Sequence, residues 1–168
     1  MSKKLVIIDH DGTIADSKKT RDFFLLYLGE KYGKKNAAEV IWSINGNDPP
    51  INEVYERLGF DWEKEKGMIW AEFIDYFTKN PVPIFPGIKN ALKTLKKQGL
   101  DMALATLNNE KLVSEFLRRE GLEEFFDVIE TEANGRTKRD LLGRCARRFP
   151  YDQADCLSVG DHPNDVIA

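Results

Sequence analysis

Short apolar runs and helical stripes follow one another along the chain, and their order predicts two kinds of structure. The run LVII at residues 5–8 is apolar and mostly β-branched, which is typical of a buried strand. Between residues 17 and 80, apolar positions recur at helical spacing and no stretch alternates as a strand does. The pattern there predicts four helices, at residues 18–32, 37–44, 51–58 and, after an Asp61 N-cap, 62–78. In the first helix, the positions at helical spacing are Phe23, Leu26, Tyr27 and Glu30.

From residue 81 the pattern changes to an alternation of strands and helices. The predicted elements are a helix opened by Pro86 and Gly87 and closed by Gly99, strand 100–105, helix 110–120, strand 126–129, helix 138–149 and strand 156–159. Such alternation is typical of a doubly wound parallel sheet with helices on both faces. We therefore predict an α/β core formed by residues 1–16 and 81–168, with the helices of residues 17–80 inserted after its first strand.

Composition and charge limit the class of protein and its partners, but they do not identify an activity. The 168 residues suit one domain with an insertion, and a net charge of −3 gives no strong attraction to nucleic acid or anionic lipid. The two cysteines, Cys145 and Cys156, lack the spacing of a zinc site or a disulfide framework. The apolar run after Lys4 is too short for a signal peptide, and no stretch is long enough to span a membrane. We expect a soluble cytoplasmic protein, a monomer or weak dimer, with neither a nucleic-acid polymer nor a membrane as partner.

Two aspartates at the end of the first predicted strand are the strongest chemical signal. Asp9 and Asp11 are separated by one residue, so an extended backbone points both carboxylates to the same side, and Gly12 marks the turn behind them. Two carboxylates held together repel unless a cation or a shared proton compensates. Such a pair suits a reaction in which one carboxylate attacks, the other moves a proton and a metal ion balances the charge. The simpler interpretation is an acidic turn after a strand, where Asp and Gly are common.

Further polar residues follow the ends of other predicted strands. In parallel α/β sheets, ligands bind at the carboxyl ends of the strands, so these residues are expected to converge. The candidate site residues are Asp9, Asp11, Thr106, Lys138, Asp161 and Asp165. Four carboxylates, one hydroxyl and one ammonium group favour a magnesium site with an adjacent clamp for a charged oxygen. Each alone has a plainer explanation: a strand end, a helix cap or, for Lys138, a place in a solvated basic run with Arg136, Arg144, Arg147 and Arg148.

The order of these motifs resembles a known enzyme family. The chain has Asp-His-Asp-Gly-Thr after its first strand, Thr106 at a strand end, Lys138 opening a helix and Gly-Asp-His-Pro-Asn-Asp at residues 160–165. This arrangement resembles the haloacid dehalogenase-like hydrolases over essentially the whole chain, and more narrowly their phosphoglycolate phosphatase-like members with a helical cap. The resemblance implies a Rossmann-like parallel core, residues 17–80 as the cap, and hydrolysis of a small phosphorylated metabolite with Mg²⁺ as cofactor.

The resemblance also implies a role for each motif residue. Asp9 would be the nucleophile that forms an aspartyl-phosphate, and Asp11 would act as general acid and then as general base. Thr106 would bind the phosphoryl oxygens and Lys138 would neutralise charge. The metal positions would be Asp9, Asp11 through its backbone carbonyl, Asp161 and, in support, Asp165. An acid two residues after the nucleophile favours phosphoester chemistry over carbon–halogen cleavage or ion transport.

Other functions remain open at this point. A phosphomutase of the same family would return its phosphoryl group to a sugar. A phosphate-sensing receiver domain shares the acidic cluster, Thr and Lys, but its phosphorylated Asp ends the third strand rather than the first. A non-catalytic phosphate-binding remnant is the third alternative. The motifs do not distinguish among a sugar phosphate, phosphoglycolate and a nucleoside monophosphate as substrate.

The remaining expectations concern regions outside the motifs. Family members continue beyond the position of Ala168 into a further helix and strand, so the resemblance implies that the C-terminal strand is missing and that the strand before Asp161 lies at an edge. His10 and His162 lie beside motif aspartates and are not expected to be catalytic. Within residues 17–80, Trp70, Phe73 and Phe77 are expected to form a core rather than a stacking surface, and residues 45–48 are a candidate loop for reaching the site.

Overall fold

The computed structural model describes residues 3–44, 49–135 and 137–165, and the chain divides into two compact units. Unit 1 comprises Met1–Ser17 and Val82–Ala168, and unit 2 comprises Lys18–Pro81. The sequence-based division is 1–16 with 81–168, and 17–80; the function of unit 2 as a cap stays a prediction. In chain order the elements are β1 (Leu5–Ile8), α1 (Lys18–Lys31), α2 (Ala37–Ile44), α3 (Ile51–Arg57), α4 (Trp62–Lys79), α5 (Ile88–Lys97), β2 (Asp101–Ala105), α6 (Glu110–Glu120), β3 (Val128–Glu130), α7 (Lys138–Arg147) and β4 (Cys156–Val159).

A parallel four-stranded sheet with the order β3-β2-β1-β4 forms the centre of unit 1. Both faces of β1 are buried: Val6 and Ile8 pack with α5 and α6, whereas Leu5 and Ile7 pack with α7. Burial on both faces explains why β1 is a continuous apolar run rather than an alternating one. The predicted α/β class with a parallel sheet is confirmed.

The third strand begins later than the sequence predicts. The pattern predicts a strand at residues 126–129, but β3 is Val128–Glu130. Just before this strand, the Asp127 carboxylate accepts a hydrogen bond from the Met102 backbone N–H at 3.0 Å and pairs with Lys96 at 2.8 Å. An anchored charge therefore precedes β3, which extends through the buried Glu130.

Unit 2 has an aromatic core between α1 and α4. Phe24 is fully buried, and its ring lies 5.5 Å from Phe73 and 5.7 Å from Phe77. The ring of Trp70 lies 5.3 Å from that of Phe73. The predicted packing role of these aromatic residues of α4 is confirmed, whereas Trp42 on α2 is 81% exposed.

The predicted helix α1 is confirmed, but the residues named at helical spacing do not mark its buried face. Phe23 and Leu26 are 50% and 43% exposed, and the buried side chains of this helix are Phe24, Leu25 and Leu28. The segment FFLLYL is apolar almost all round, so periodicity alone cannot tell which side faces the other helices.

The ends of the helices follow local signals with small differences. The side chain of Asp61 accepts the backbone N–H of Lys64 at 3.3 Å, which confirms the predicted N-cap of α4. By contrast, α7 ends at Arg147 rather than at the predicted residue 149. Among the described residues, none of the helices has the length and apolar character needed to cross a membrane.

Candidate active site

The first site residues follow directly from β1. Its backbone pairs in parallel with both β2 and β4, so the residues after these three strands share one edge of the sheet. Asp9 follows β1, Thr106 follows β2, and Asp161 lies two residues after β4. Lys138 begins α7, after the loop that leaves β3. The parallel arrangement therefore gathers residues that lie far apart in the sequence.

Three carboxylates form a compact group at this edge. One oxygen each from Asp9, Asp161 and Asp165 lies within 4.8 Å of the others. Asp161 is exposed, and the Thr13 hydroxyl approaches its carboxylate at 3.5 Å. Asp165 is 5% exposed, and its Oδ2 accepts the backbone N–H of His162 at 3.0 Å. We refer to Asp9, Asp161 and Asp165 as the acidic group.

Two glycines leave space for the carboxylates of the acidic group. Gly12 has a φ of +74°, and a Cβ at this position would lie 2.1 Å from an oxygen of Asp161. A Cβ on Gly160 would lie 2.0 Å from an oxygen of Asp165. No side chain can occupy either position unless a carboxylate moves, and at Gly12 the left-handed backbone adds strain.

Lys138 is the cation of the site. The side chain of Thr137 caps α7 by accepting the Asp140 backbone N–H at 3.1 Å, which places Lys138 in the first turn. Its ammonium group contacts Oδ1 of Asp9 and lies 2.8 Å from Oδ1 of Asp165. The Lys138 side chain is 10% exposed, so it is not the solvated residue of the plainer interpretation.

The neighbouring arginines have a different function. Arg144 pairs with the buried Glu130 carboxylate at 2.9 Å, and Arg148 lies 3.7 Å from the same carboxylate. These contacts satisfy a charge on β3. Among the described residues of the predicted basic run, Lys138 is the one with an ion pair to the acidic group. Arg136 and residues 45–48, both named in the sequence analysis, lie outside the described residues.

Burial has the largest effect on the pKa of Asp9. The pKa of its carboxyl is raised from 3.8 to about 6, because burial disfavours the charged form more than Lys138 favours it. The charges of Asp165 and Asp11 act in the same direction as burial. A buried carboxylate surrounded by other carboxylates is therefore destabilised in the absence of further positive charge.

The acidic group fits a hard divalent cation. Three carboxylates face one ammonium, which leaves two negative charges at the sheet edge if all are ionised. Carboxylate oxygen is the ligand type that Mg²⁺ prefers, and Mg²⁺ is usually held by a few carboxylates together with water and phosphate oxygens. The pKa of Asp9 is raised by burial and by the neighbouring carboxylates, and a divalent cation bound to the acidic group would favour the ionised form of Asp9.

The carboxylate of Asp11 lies outside this group, and the metal position predicted for this residue is its backbone carbonyl. Its Oδ2 accepts a hydrogen bond from the side-chain amide of Asn108 at 2.8 Å, and Nδ1 of His10 lies 3.3 Å from the same oxygen. Burial opposes ionisation of Asp11, but His10 and the hydrogen bonds from Asn108 and Ser17 outweigh it and hold its pKa below the usual value. The two aspartates of the motif therefore have opposite environments.

Asn108 is the residue that sequence reasoning missed. It lies two residues after Thr106, whose hydroxyl oxygen accepts the Asn108 backbone N–H at 3.1 Å. An asparagine in a loop is ordinary, and its partner Asp11 lies 97 residues away in the chain. No local pattern marks this contact; the expected meeting of strand ends is the one signal that could have suggested it.

His10 is buried beside the site. Its side chain packs edge to face on Phe116, with 4.7 Å between ring centroids. Neither ring nitrogen makes a hydrogen bond to any of the described residues, although Nδ1 lies near Asp11. Its position between α6 and the motif loop is a packing position, and the expectation that it is not catalytic stays a prediction.

Comparisons with known proteins address the family directly. The family model described as haloacid dehalogenase-like hydrolase matches residues 6–168. A solved relative, the HAD-superfamily hydrolase of subfamily IA from Geobacter sulfurreducens, superposes with a TM-score of 0.73 at 24% identity, over 97% of this chain and 80% of the other. At that identity the superposition shows the shared fold.

Curated relatives cover nearly the full chain. Pyrophosphatase PpaX of Halalkalibacterium halodurans is 25% identical over 99% of this chain and 79% of its own length. Phosphoglycolate phosphatase of Neisseria gonorrhoeae is 29% identical over 97% of this chain and 74% of its own. Together with the family model, the fold and the meeting of the four motifs at one sheet edge, these findings confirm the predicted enzyme class: the chain belongs to the haloacid dehalogenase-like hydrolase family.

Proposed function

We propose that this protein is a Mg²⁺-dependent phosphatase that hydrolyses a small phosphomonoester through an aspartyl-phosphate on Asp9. One observation carries the proposal. The Asp9 carboxylate lies against the Lys138 ammonium and within 4.8 Å of the other two carboxylates, while Asp11, two residues on, is held outside that group. Asp9 thus lies among charged groups and Asp11 among hydrogen-bond partners, and these different surroundings support different tasks: Asp9 as the nucleophile and Asp11 as the proton carrier.

In the first step, an oxygen of Asp9 attacks phosphorus and the bond from phosphorus to the ester oxygen breaks. Asp11 gives its proton to the departing oxygen, so the alcohol leaves neutral. In the second step, Asp11 takes a proton from water as the water oxygen attacks phosphorus and the bond to Asp9 breaks. Both steps depend on positioning and charge neutralisation more than on elaborate covalent chemistry.

Lys138 and Thr106 serve the phosphoryl group in this proposal. Lys138 contacts Asp9 and keeps a positive charge where the phosphoryl oxygens would gather. Thr106 is 2% exposed and follows β2, the strand paired with β1, and its hydroxyl is the group proposed to donate to a phosphoryl oxygen. Losing one such stabilising group typically lowers the rate about 10²–10³-fold.

Mg²⁺ would be held by carboxylates of the acidic group, with the backbone carbonyl of Asp11 as a further ligand. When bound, it supplies the positive charge that lets Asp9 ionise and that offsets charge developing on the phosphoryl oxygens. Gly12 and Gly160 support this assignment because they allow the carboxylates of Asp161 and Asp165 to approach closely.

The names of the relatives support phosphate chemistry without agreeing on a substrate. One is a pyrophosphatase and another a phosphoglycolate phosphatase, and both substrates are small, anionic and phosphorylated. Pyrophosphate is a phosphoanhydride, so the phosphoglycolate phosphatase is the relative whose name agrees with the proposed class of small phosphomonoesters. Unit 2, acting as a cap, would select among them and exclude water during attack.

The test is release of inorganic phosphate from a panel of sugar phosphates, phosphoglycolate and nucleoside monophosphates, with Mg²⁺ or with EDTA. We expect Mg²⁺-dependent turnover by the wild-type protein and none by Asp9→Asn. The matched control is Asp75→Asn, the same chemical change at an exposed carboxylate of α4, and it should retain full activity. Acid-quenched protein should carry phosphate during turnover in wild type and not in Asp9→Asn. Turnover that survives in Asp9→Asn, or a folded wild-type protein that hydrolyses none of the esters, would contradict the proposal.

A further inference from the structure

Asn108 is held so that its side-chain orientation is unambiguous. Its Oδ1 accepts the backbone N–H of Asn109 at 2.6 Å, and its own backbone N–H donates to Thr106. An amide oxygen that faces an N–H leaves the NH₂ group on the opposite side. Nδ2 therefore donates to Oδ2 of Asp11, at 2.8 Å.

This contact distinguishes the two oxygens of Asp11. An oxygen that receives an N–H cannot also present its own hydrogen in that direction, so a proton on Oδ2 would face the Asn108 donor. Nδ1 of His10 crowds the same oxygen at 3.3 Å.

We infer that Asn108 is a positioning residue which makes Oδ1 the proton-carrying oxygen of Asp11. The inference deepens the proposed function and rests on it. In the first step, the proton on Oδ1 passes to the ester oxygen as its bond to phosphorus breaks and the bond from Asp9 to phosphorus forms. In the second step, a water proton returns to Oδ1. Asn108 gives up no atom or proton in either step, because it holds Oδ2 throughout.

The inference predicts a loss that depends on the leaving group. Phenol, with a pKa of about 10, is a poor leaving group unless it is protonated, whereas 2,4-dinitrophenol leaves readily as an anion. Both esters carry the same phosphoryl group and an aromatic ring, so their contacts with the protein are matched. The value of kcat/KM covers the steps up to departure of the phenol, and it therefore excludes the later attack by water.

The experiment compares kcat/KM for phenyl phosphate and 2,4-dinitrophenyl phosphate, with Mg²⁺, in wild type and two variants. Asn108→Ala removes both polar atoms, and Asn108→Asp keeps the shape and the acceptor while removing the donor. We expect kcat/KM for phenyl phosphate to fall about 10–100-fold, less than the roughly 10²–10⁴-fold that general acid catalysis contributes because Asp11 itself remains, and that for the dinitrophenyl ester to fall less than about threefold. Circular dichroism and thermal unfolding verify that each variant is folded.

The control is Asn109→Ser at the next position. The Asn109 side chain caps α6 and donates to Glu132 at 2.8 Å rather than to Asp11, and serine retains the cap. This variant should change both rates alike. Equal losses on the two esters in the Asn108 variants, or no loss, would overturn the positioning role while active wild-type protein upholds the phosphatase. Wild-type protein inactive on both esters would instead overturn the proposed function, and the inference with it.

Discussion

Replacing the proposed nucleophile should make the metal-free protein more stable. Asp9 is buried among carboxylates, and its pKa of about 6 shows that the folded protein disfavours the charged form. Asn has the same shape without the charge. We therefore expect Asp9→Asn to abolish activity and, in EDTA at pH 7.5, to raise the free energy of unfolding above that of wild type.

The size of the effect follows from the pKa. One pK unit is worth about 1.4 kcal/mol, so the rise from 3.8 to about 6 corresponds to at most about 3 kcal/mol against the folded charged form. Structural relaxation reduces this value, and we expect about 1–3 kcal/mol. Because the folded protein binds this proton more tightly than the unfolded chain does, wild type loses stability as pH rises from about 4 to about 6. The difference between variant and wild type should therefore be near zero at about pH 4 and reach its plateau above about pH 6.

Urea unfolding in EDTA, followed by circular dichroism between pH 4 and pH 8, measures this difference directly. Asp75→Asn is again the control, since its carboxylate is exposed and its surface pair with Lys79 contributes little to stability. If Asp9→Asn were no more stable than wild type at pH 7.5, or if the difference did not change with pH, the reasoning from burial would be refuted.

Three further predictions test other parts of unit 1. Gly12→Ala should abolish the rise in unfolding temperature that Mg²⁺ causes in wild type, because its Cβ would lie 2.1 Å from Asp161; an undiminished rise would contradict the assigned metal group. Lys138→Met should cost about 3–5 kcal/mol in urea unfolding without metal, because it leaves buried carboxylates unpaired; a cost below about 1 kcal/mol would mean that the ion pairs are not formed. Neither cysteine should react readily with a thiol reagent in the native protein, because burial raises the pKa of Cys145 to about 12 and also raises that of Cys156; both should react in urea, and rapid native labelling would disprove the burial.

The sequence pattern predicted secondary structure correctly where a single physical requirement selects the residues of a segment. β1 and the N-cap at Asp61 follow from local chemistry, because burial on both faces selects an apolar run and the first turn of a helix needs a side-chain acceptor. The family was also readable, since its motifs are short segments at strand ends. Their meeting at one edge follows from parallel pairing, which the strand–helix alternation predicted.

The sequence pattern did not predict which residues are buried, or where an element begins, when several arrangements satisfy the same local pattern. On α1 an almost wholly apolar segment could bury either face, and contact with α4 selected Phe24 over Phe23. At β3 the pattern did not show that the charged Asp127, just before the strand, has partners on β2 and α5. In both cases the partner lies in another element of the chain.

The sequence by itself determined the parallel α/β class, the family and the six residues from which a phosphatase site is proposed, because each depends on local order along the chain. Only the tertiary structure decided which of those residues touch. Lys138 contacts Asp9 and Asp165, whereas Asp11 is separated from them and held by Asn108, 97 residues away. Charge, burial and hydrogen bonding act over a few ångströms in space. The opposite pKa shifts of Asp9 and Asp11 could therefore not be deduced from two identical side chains separated by one residue.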